Sequence, residues 1–180
     1  ETDFVARNET FVATGKEIAE SVAANGLKAD DAGLLAKVTE IAATIKENIT
    51  LRRLDSFTLA DDEAVDTYIH GDAGSVGVVV KFKLGKAELK NNEAVKTFMH
   101  DCALHAAAFK PQFLAPAKVD AGWIAQQEEI FKAQIDGDEK NASKPEQVKA
   151  KMLEGKVKKL LADICFVDQA FVKDDKVTVA

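Results

Sequence analysis

Ala64-Val65-Asp66-Thr67-Tyr68-Ile69-His70-Gly71-Asp72-Ala73-Gly74-Ser75-Val76-Gly77-Val78-Val79-Val80-Lys81-Phe82-Lys83-Leu84 is the stretch that decides the fold. Two runs rich in β-branched and aromatic residues flank a cluster of turn residues, which is the pattern of strand, turn, strand. Gly71-Asp72-Ala73-Gly74 supplies the turn chemistry. A third run, over residues 49–59, has the same character and is set off by Asp61-Asp62. The section therefore reads as a three-stranded antiparallel meander. Val78-Val79-Val80 is nearly continuous in apolar character, which predicts a strand that is central or covered on both faces.

On either side the pattern switches to helical period. Residues 3–24 read as helix, broken or bent where Asn8 and Gly15 weaken the run. Phe4, Phe11, Ile18 and Val22 recur at spacings of seven and four and give one apolar face. Thr2 or Asp3 can cap the start, and Asn25-Gly26 closes the end. A second helix begins near Asp30 or Asp31 and carries Leu34, Leu35, Val38, Ile41, Ala42 and Ile45 on the same period. Beyond the strands, helix returns over about residues 92–108 and stops before Lys110-Pro111. Helices on one side of an antiparallel sheet make an α+β core over residues 1–115.

Residues 116–164 differ. Trp123, Ile124, Ile130, Phe131 and Ile135 mark one helical seam, and Val148, Met152, Val157, Leu160, Leu161 and Ile164 mark another. Between them lies the polar run Asp136-Gly137-Asp138-Glu139-Lys140-Asn141-Ala142, then Ser143 and Glu146 at capping-box spacing with Pro145 in the first turn. So short a link forces the helices antiparallel. The prediction is a protruding, coiled-coil-like helical hairpin with arms of about 25 Å, the alternative being that both helices lie flat on the core. Residues 165–180 read as the start of a further core segment that is cut off.

The chain has 180 residues, enough for one large domain or two small ones. Its net charge of −6 is spread along the chain with no basic arm, which argues against direct nucleic-acid binding. No run approaches the length of a membrane-spanning helix, so no membrane partner is expected. Without a secretory or transit segment the expected location is cytoplasmic, or an organellar matrix had a targeting segment been removed. Glu1 opens inside a motif and the last residues are Val179-Ala180, as in a fragment or a processed chain. Cys102 and Cys165 sit among apolar neighbours and are expected as buried, reduced thiols.

Little in the sequence points to bond-making chemistry. Gly71-Asp72-Ala73-Gly74 lacks the strand-loop-helix frame and the Lys-Ser/Thr pair of a nucleotide site. Cys102 and His105 share a helix face, but His100 points elsewhere and no second pair closes a metal shell. The same two residues lack the third group that a nucleophile would need. The carboxylate runs Asp61-Asp62-Glu63 and Asp136-Gly137-Asp138-Glu139 are solvated turns. The expectation is no catalytic residue, no metal, no cofactor, and a protein that is not an enzyme.

Function is carried by four landmarks in order. They are Glu1-Thr2-Asp3-Phe4-Val5-Ala6-Arg7-Asn8, then Asn48-Ile49-Thr50-Leu51-Arg52-Arg53, then His105-Ala106-Ala107-Ala108-Phe109-Lys110-Pro111-Gln112-Phe113-Leu114. The fourth runs from Glu154-Gly155-Lys156 through Lys158-Lys159 to Asp168-Gln169-Ala170-Phe171-Val172. Together they resemble elongation factor Ts, the guanine-nucleotide exchange factor for the translational GTPase elongation factor Tu. The resemblance implies an α+β core with a protruding hairpin, and a protein that binds elongation factor Tu in its GDP form and accelerates nucleotide loss. It implies that Asp3 and Phe4 meet the GTPase beside its magnesium and phosphate region. It also implies that His105 and the segment Phe171, Val172 and Lys173 belong to the partner surface.

Residue physics alone reads these positions differently. Phe4 would be buried in its own core, Asp3 would be a helix cap, and His105 an interior histidine near a helix end. A hairpin-based interaction module for some other partner is the competing function. Exposed hairpins and incomplete sheets both invite self-association, which admits a homodimer. Family members usually open with a small helical module and a strand leading through Asn-Cys into Glu-Thr-Asp-Phe. Neither lies in this sequence, and Ala170 stands where proline is common. The chain is therefore expected to bind elongation factor Tu more weakly, and to exchange nucleotide more slowly, than an intact factor.

Overall fold

The computed structural model describes residues 3–71 and 76–180. The fold is α+β, and the chain divides into two compact units, Glu1–Asn92 and Glu93–Ala180.

The first unit opens with a short helix, α1 (Asp3–Ala6), followed by α2 (Glu9–Asn25) and α3 (Ala32–Ile45). The predicted break falls at Asn8, whose backbone is extended and whose side chain accepts from Phe11 N–H at 3.1 Å to cap α2. Gly15 lies within continuous helix. Helix α2 ends on Gly26, which takes left-handed backbone (φ 63°) and donates to the Val22 carbonyl, a conformation that glycine adopts without the steric penalty of a Cβ. Asp31 caps α3 through Gly33 and Leu34 N–H. Ile18 and Val22 then meet Leu34 and Val38 in the core between the two helices.

Two antiparallel strands follow, β1 (Glu63–His70) and β2 (Val76–Lys83), in register from Glu63↔Lys83 to His70↔Val76. The expected third strand over residues 49–59 is not formed. Ile49, Leu51 and Leu54 instead pack against the α2–α3 core. Their apolar character serves a helical surface rather than a neighbouring strand. Val79 is also 57% exposed. Burial alternates along β2, so the hairpin is covered on one face and the Val78-Val79-Val80 run does not mark a central strand. The turn residues 72–75 lie outside the described residues.

The second unit holds α4 (Glu93–Phe109), α5 (Ala121–Gly137), α6 (Glu146–Ile164) and a small antiparallel pair, β3 (Ala170–Phe171) and β4 (Asp174–Thr178). Helices α5 and α6 pack on each other as the predicted hairpin. Ile135 of α5 and Ile164 of α6 are the buried residues of the two helices. The expected Ser143–Glu146 capping box is not formed, because extended Pro145 precedes Glu146 and no side chain caps α6. The link is organised instead by Asn141, 5% exposed, which donates to the Ile135 carbonyl and accepts from Lys144 Nζ. At the hairpin's base the chain after α4 pairs with the chain after α6. Phe113 bridges Cys165, and Phe166 and Val167 N–H donate to the Phe113 and Leu114 carbonyls. Among the described residues no helix is long and apolar enough to cross a membrane.

Candidate partner-binding site

Phe4 and Val5 are sequence neighbours with opposite fates. Val5 is 4% exposed, whereas Phe4 is 91% exposed. The break at Asn8 explains this. It resets the helical phase between α1 and α2, so Phe4 does not continue the face that carries Phe11, Ile18 and Val22. Val5 turns inward in its place, and its carbonyl accepts from Asn8 N–H at 2.9 Å. The interior position that residue physics favours for Phe4 is thus overturned by its own neighbour. The Asp3 side chain and Thr2 lie outside the described residues, and with them the cap expected there.

The second unit gathers His105, Phe171, Val172 and Lys173. His105 is wholly buried near the end of α4, on the face that also carries Met99, Cys102 and Ala103. Phe109 stacks on its ring at 4.6 Å between centroids, Phe166 meets it edge-on at 5.5 Å, and Phe171 lies at 6.0 Å. Imidazole Nδ1 accepts from Val172 N–H at 3.2 Å, and Nε2 faces Gln169 Oε1 at 3.0 Å. Burial pushes the His105 pKa below its usual 6.5, opposed by the bond to Gln169. The ring is neutral and sits beneath the surface rather than on it. It meets the turn above it through the hydrogen bond from Val172 N–H.

That turn is Val172-Lys173, between β3 and β4. Phe171 is half-buried and packs against Phe98, itself 45% exposed, at 6.0 Å. Lys173 pairs with Asp101 of α4 at 3.1 Å. One side of the turn is therefore aromatic and partly open, and the other carries a paired charge.

A sequence model of the family described as elongation factor TS matches residues 1–180. The chain belongs to the elongation factor Ts family. It is similar to elongation factor Ts of Treponema denticola, at 41% identity over 180 residues, covering 100% of this chain and 62% of that relative. With elongation factor Ts of Borrelia recurrentis it shares 40% identity over 179 residues, covering 99% of this chain and 63% of the relative. With that of Treponema pallidum it shares 35% over 182 residues, at 99% and 61% coverage. The chain thus spans less than two thirds of the length of these elongation factor Ts relatives.

Cys102 and His105, the pair weighed above for metal or catalysis, are both packed in the interior. Burial, with Asp101 adding, pushes the Cys102 thiol up to about 11, which disfavours the thiolate that ligation or attack requires. No group of three or more His, Cys, Asp or Glu with metal-holding geometry occurs among the described residues. A concavity of about 730 Å³ runs along α6 past Leu153, Val157 and Leu161 to Thr178, and is lined by none of His105, Phe171, Val172 and Lys173.

Two side chains that shape this region of the elongation factor Ts fold were missed. Gln169 stands inside the fourth landmark without periodic signal, and Asp101 looks like any acidic residue on a helix. The available hint was Gln169 itself, a polar residue among Cys165, Phe166, Val167 and Phe171, since a buried amide demands partners.

Proposed function

We propose that this chain is the part of an exchange factor that binds elongation factor Tu in its GDP form and promotes GDP release. The observation that carries the reading is the Phe4 ring, almost fully exposed on a helix anchored by buried Val5. A monomeric protein gains little by holding a phenylalanine in water, whereas an aromatic anchor entering a partner pocket dominates many interfaces. Seated in the GTPase, the ring with Asp3 beside it stabilises an arrangement whose magnesium and phosphate ligands are displaced. The Phe171–Lys173 turn supplies a second contact, half aromatic and half charged, with His105 as its support.

Exchange of this kind needs no proton transfer and no covalent step. It needs different affinities for two states of the partner. The coupling is reciprocal, so a factor that weakens GDP binding must itself be bound less well when GDP is present, by the same factor. Membership of the elongation factor Ts family across residues 1–180 supports this assignment. The test is the release of a fluorescent GDP analogue from elongation factor Tu with excess unlabelled GDP, with and without this chain. Acceleration that saturates with chain concentration is expected. Absence of both acceleration and binding overturns the proposal.

A further inference from the structure

The Val172-Lys173 turn is poorly made for its position. Two-residue hairpin turns match strand twist when their residues take left-handed backbone. Among the described non-glycine residues only Lys46 and Lys110 do so. The ladder also shifts register between Ala170 and Phe171. The pairing of Phe171 with Asp174 closes this turn, and two contacts from α4 fix its residues: His105 Nδ1 on Val172 N–H and Asp101 on Lys173.

The first of these works only if Nδ1 carries no proton, and the neighbouring amide decides that. Gln169 is 4% exposed. Its Nε2 donates to the Asp163 carbonyl at 2.7 Å, and a carbonyl can only accept, so the amide orientation is fixed with Oε1 toward the imidazole. Oε1 can likewise only accept, so His105 Nε2 must bear the hydrogen. A neutral ring then has a bare Nδ1, aimed at Val172 N–H. The result is a directional chain of three hydrogen bonds, from Val172 N–H to His105, from His105 to Gln169, and from Gln169 to the last turn of α6. Every buried polar group in it is used, which is the condition under which such a network specifies one geometry.

We infer that Gln169 is a positioning residue for the Phe171–Lys173 turn, acting by fixing the tautomer and orientation of His105. Its importance for elongation factor Tu rests on the proposal that this turn meets the GTPase. The geometry requires a polar acceptor at position 169. An apolar side chain of equal size leaves a buried Nε2–H without a partner, and the ring turns to find one at the expense of Val172.

The experiment is ¹⁵N NMR on the full chain and on Gln169→Met, with the histidines assigned through their backbones. In the native chain His105 should be protonated on Nε2 alone, with a through-hydrogen-bond coupling between Val172 N and His105 Nδ1. In Gln169→Met that coupling should vanish, and the Val172 amide should exchange with solvent at least tenfold faster. A proton on Nδ1 in the native chain overturns the inference, whether or not the variant folds. So does a folded Gln169→Met with the coupling intact. The GDP-release assay on the same variant separates this inference from the function it rests on. A higher half-maximal concentration is expected. Loss of the coupling with unchanged affinity for elongation factor Tu leaves the relay standing and removes the turn from the interface.

Discussion

Replacing Phe4 with alanine separates a binding residue from a core residue with unusual clarity. At 91% exposure the ring contributes almost nothing to the folded chain's own burial. Surface substitutions of this kind change stability by no more than about 0.5 kcal/mol, and alanine's better helix propensity in α1 acts in the stabilising direction. On binding, the whole ring is available for burial. Full burial of a phenylalanine side chain contributes roughly 1.5–3 kcal/mol, so Phe4→Ala should raise the half-maximal concentration for GDP release by about tenfold to a hundredfold. Val5→Ala, one residue on, should behave in the opposite sense. It removes a buried group and should lower stability by about 1–3 kcal/mol. The assays are urea unfolding followed by circular dichroism, and release of a fluorescent GDP analogue over a titration of the chain. The reasoning fails if Phe4→Ala lowers stability by as much as Val5→Ala, which would make Phe4 a core residue. It fails equally if Phe4→Ala accelerates release with an unchanged half-maximal concentration.

The His105 contribution to stability should depend on pH with a definite sign. Its pKa is below 6.5 in the folded chain, so its share is complete above that value. It declines as the unfolded chain protonates first, by at most about 1.4 kcal/mol per pH unit, and is lost once pH falls below the folded pKa. Urea midpoints between pH 7.5 and 5 should fall less for His105→Asn than for the native chain. Gly26→Ala should destabilise by about 1 kcal/mol through the left-handed backbone alone, since nothing lies within 4 Å of the added Cβ; an unchanged urea midpoint contradicts this. Both thiols are buried and should resist a disulfide reagent at pH 8 until the chain is unfolded, so rapid native labelling of either contradicts the packing. Asn141→Ala should cost about 1–3 kcal/mol, because it strips the buried Ile135 carbonyl of its donor and Lys144 of its acceptor, again read by urea unfolding.

Much of the fold was legible because periodicity reports which face of an element is buried. The α2, α3, α5 and α6 helices and the strands around Val65 and Val78 followed from it, although Leu35, Ile130 and Val148 of the expected seams are exposed. The misses share a cause, namely that a local pattern does not say what lies opposite. Ile49, Leu51 and Leu54 satisfy a strand pattern, yet their partners are helices. Ser143 and Glu146 have capping-box spacing, but Pro145 and the Asn141 hub start the helix later. Residue physics named His105 as an interior position, which is where it lies, and the resemblance named it as part of the partner surface. The pairing with Gln169, sixty-four positions away, that joins these two roles is invisible to any short-range pattern.

The exposed and buried parts of the proposed interface divide the work in a way that suits exchange. A four-residue helix has no stability of its own, so α1 exists because Val5 is buried and Asn8 ties both its carbonyl and the start of α2. That arrangement fixes the backbone that carries the Phe4 ring in water before any partner arrives. Ordering it beforehand removes entropy that binding would otherwise have to lose, and the gain applies to every partner state the ring can enter. Under the proposed function, discrimination would then come from the partner, whose pocket would accept the ring only when its magnesium and phosphate ligands have moved. A rigid wedge is therefore better suited than a flexible one. On the proposed function, a wedge that does not relax to fit the GDP-bound arrangement would shift the strain onto the nucleotide site, and the coupling free energy would appear as faster GDP release.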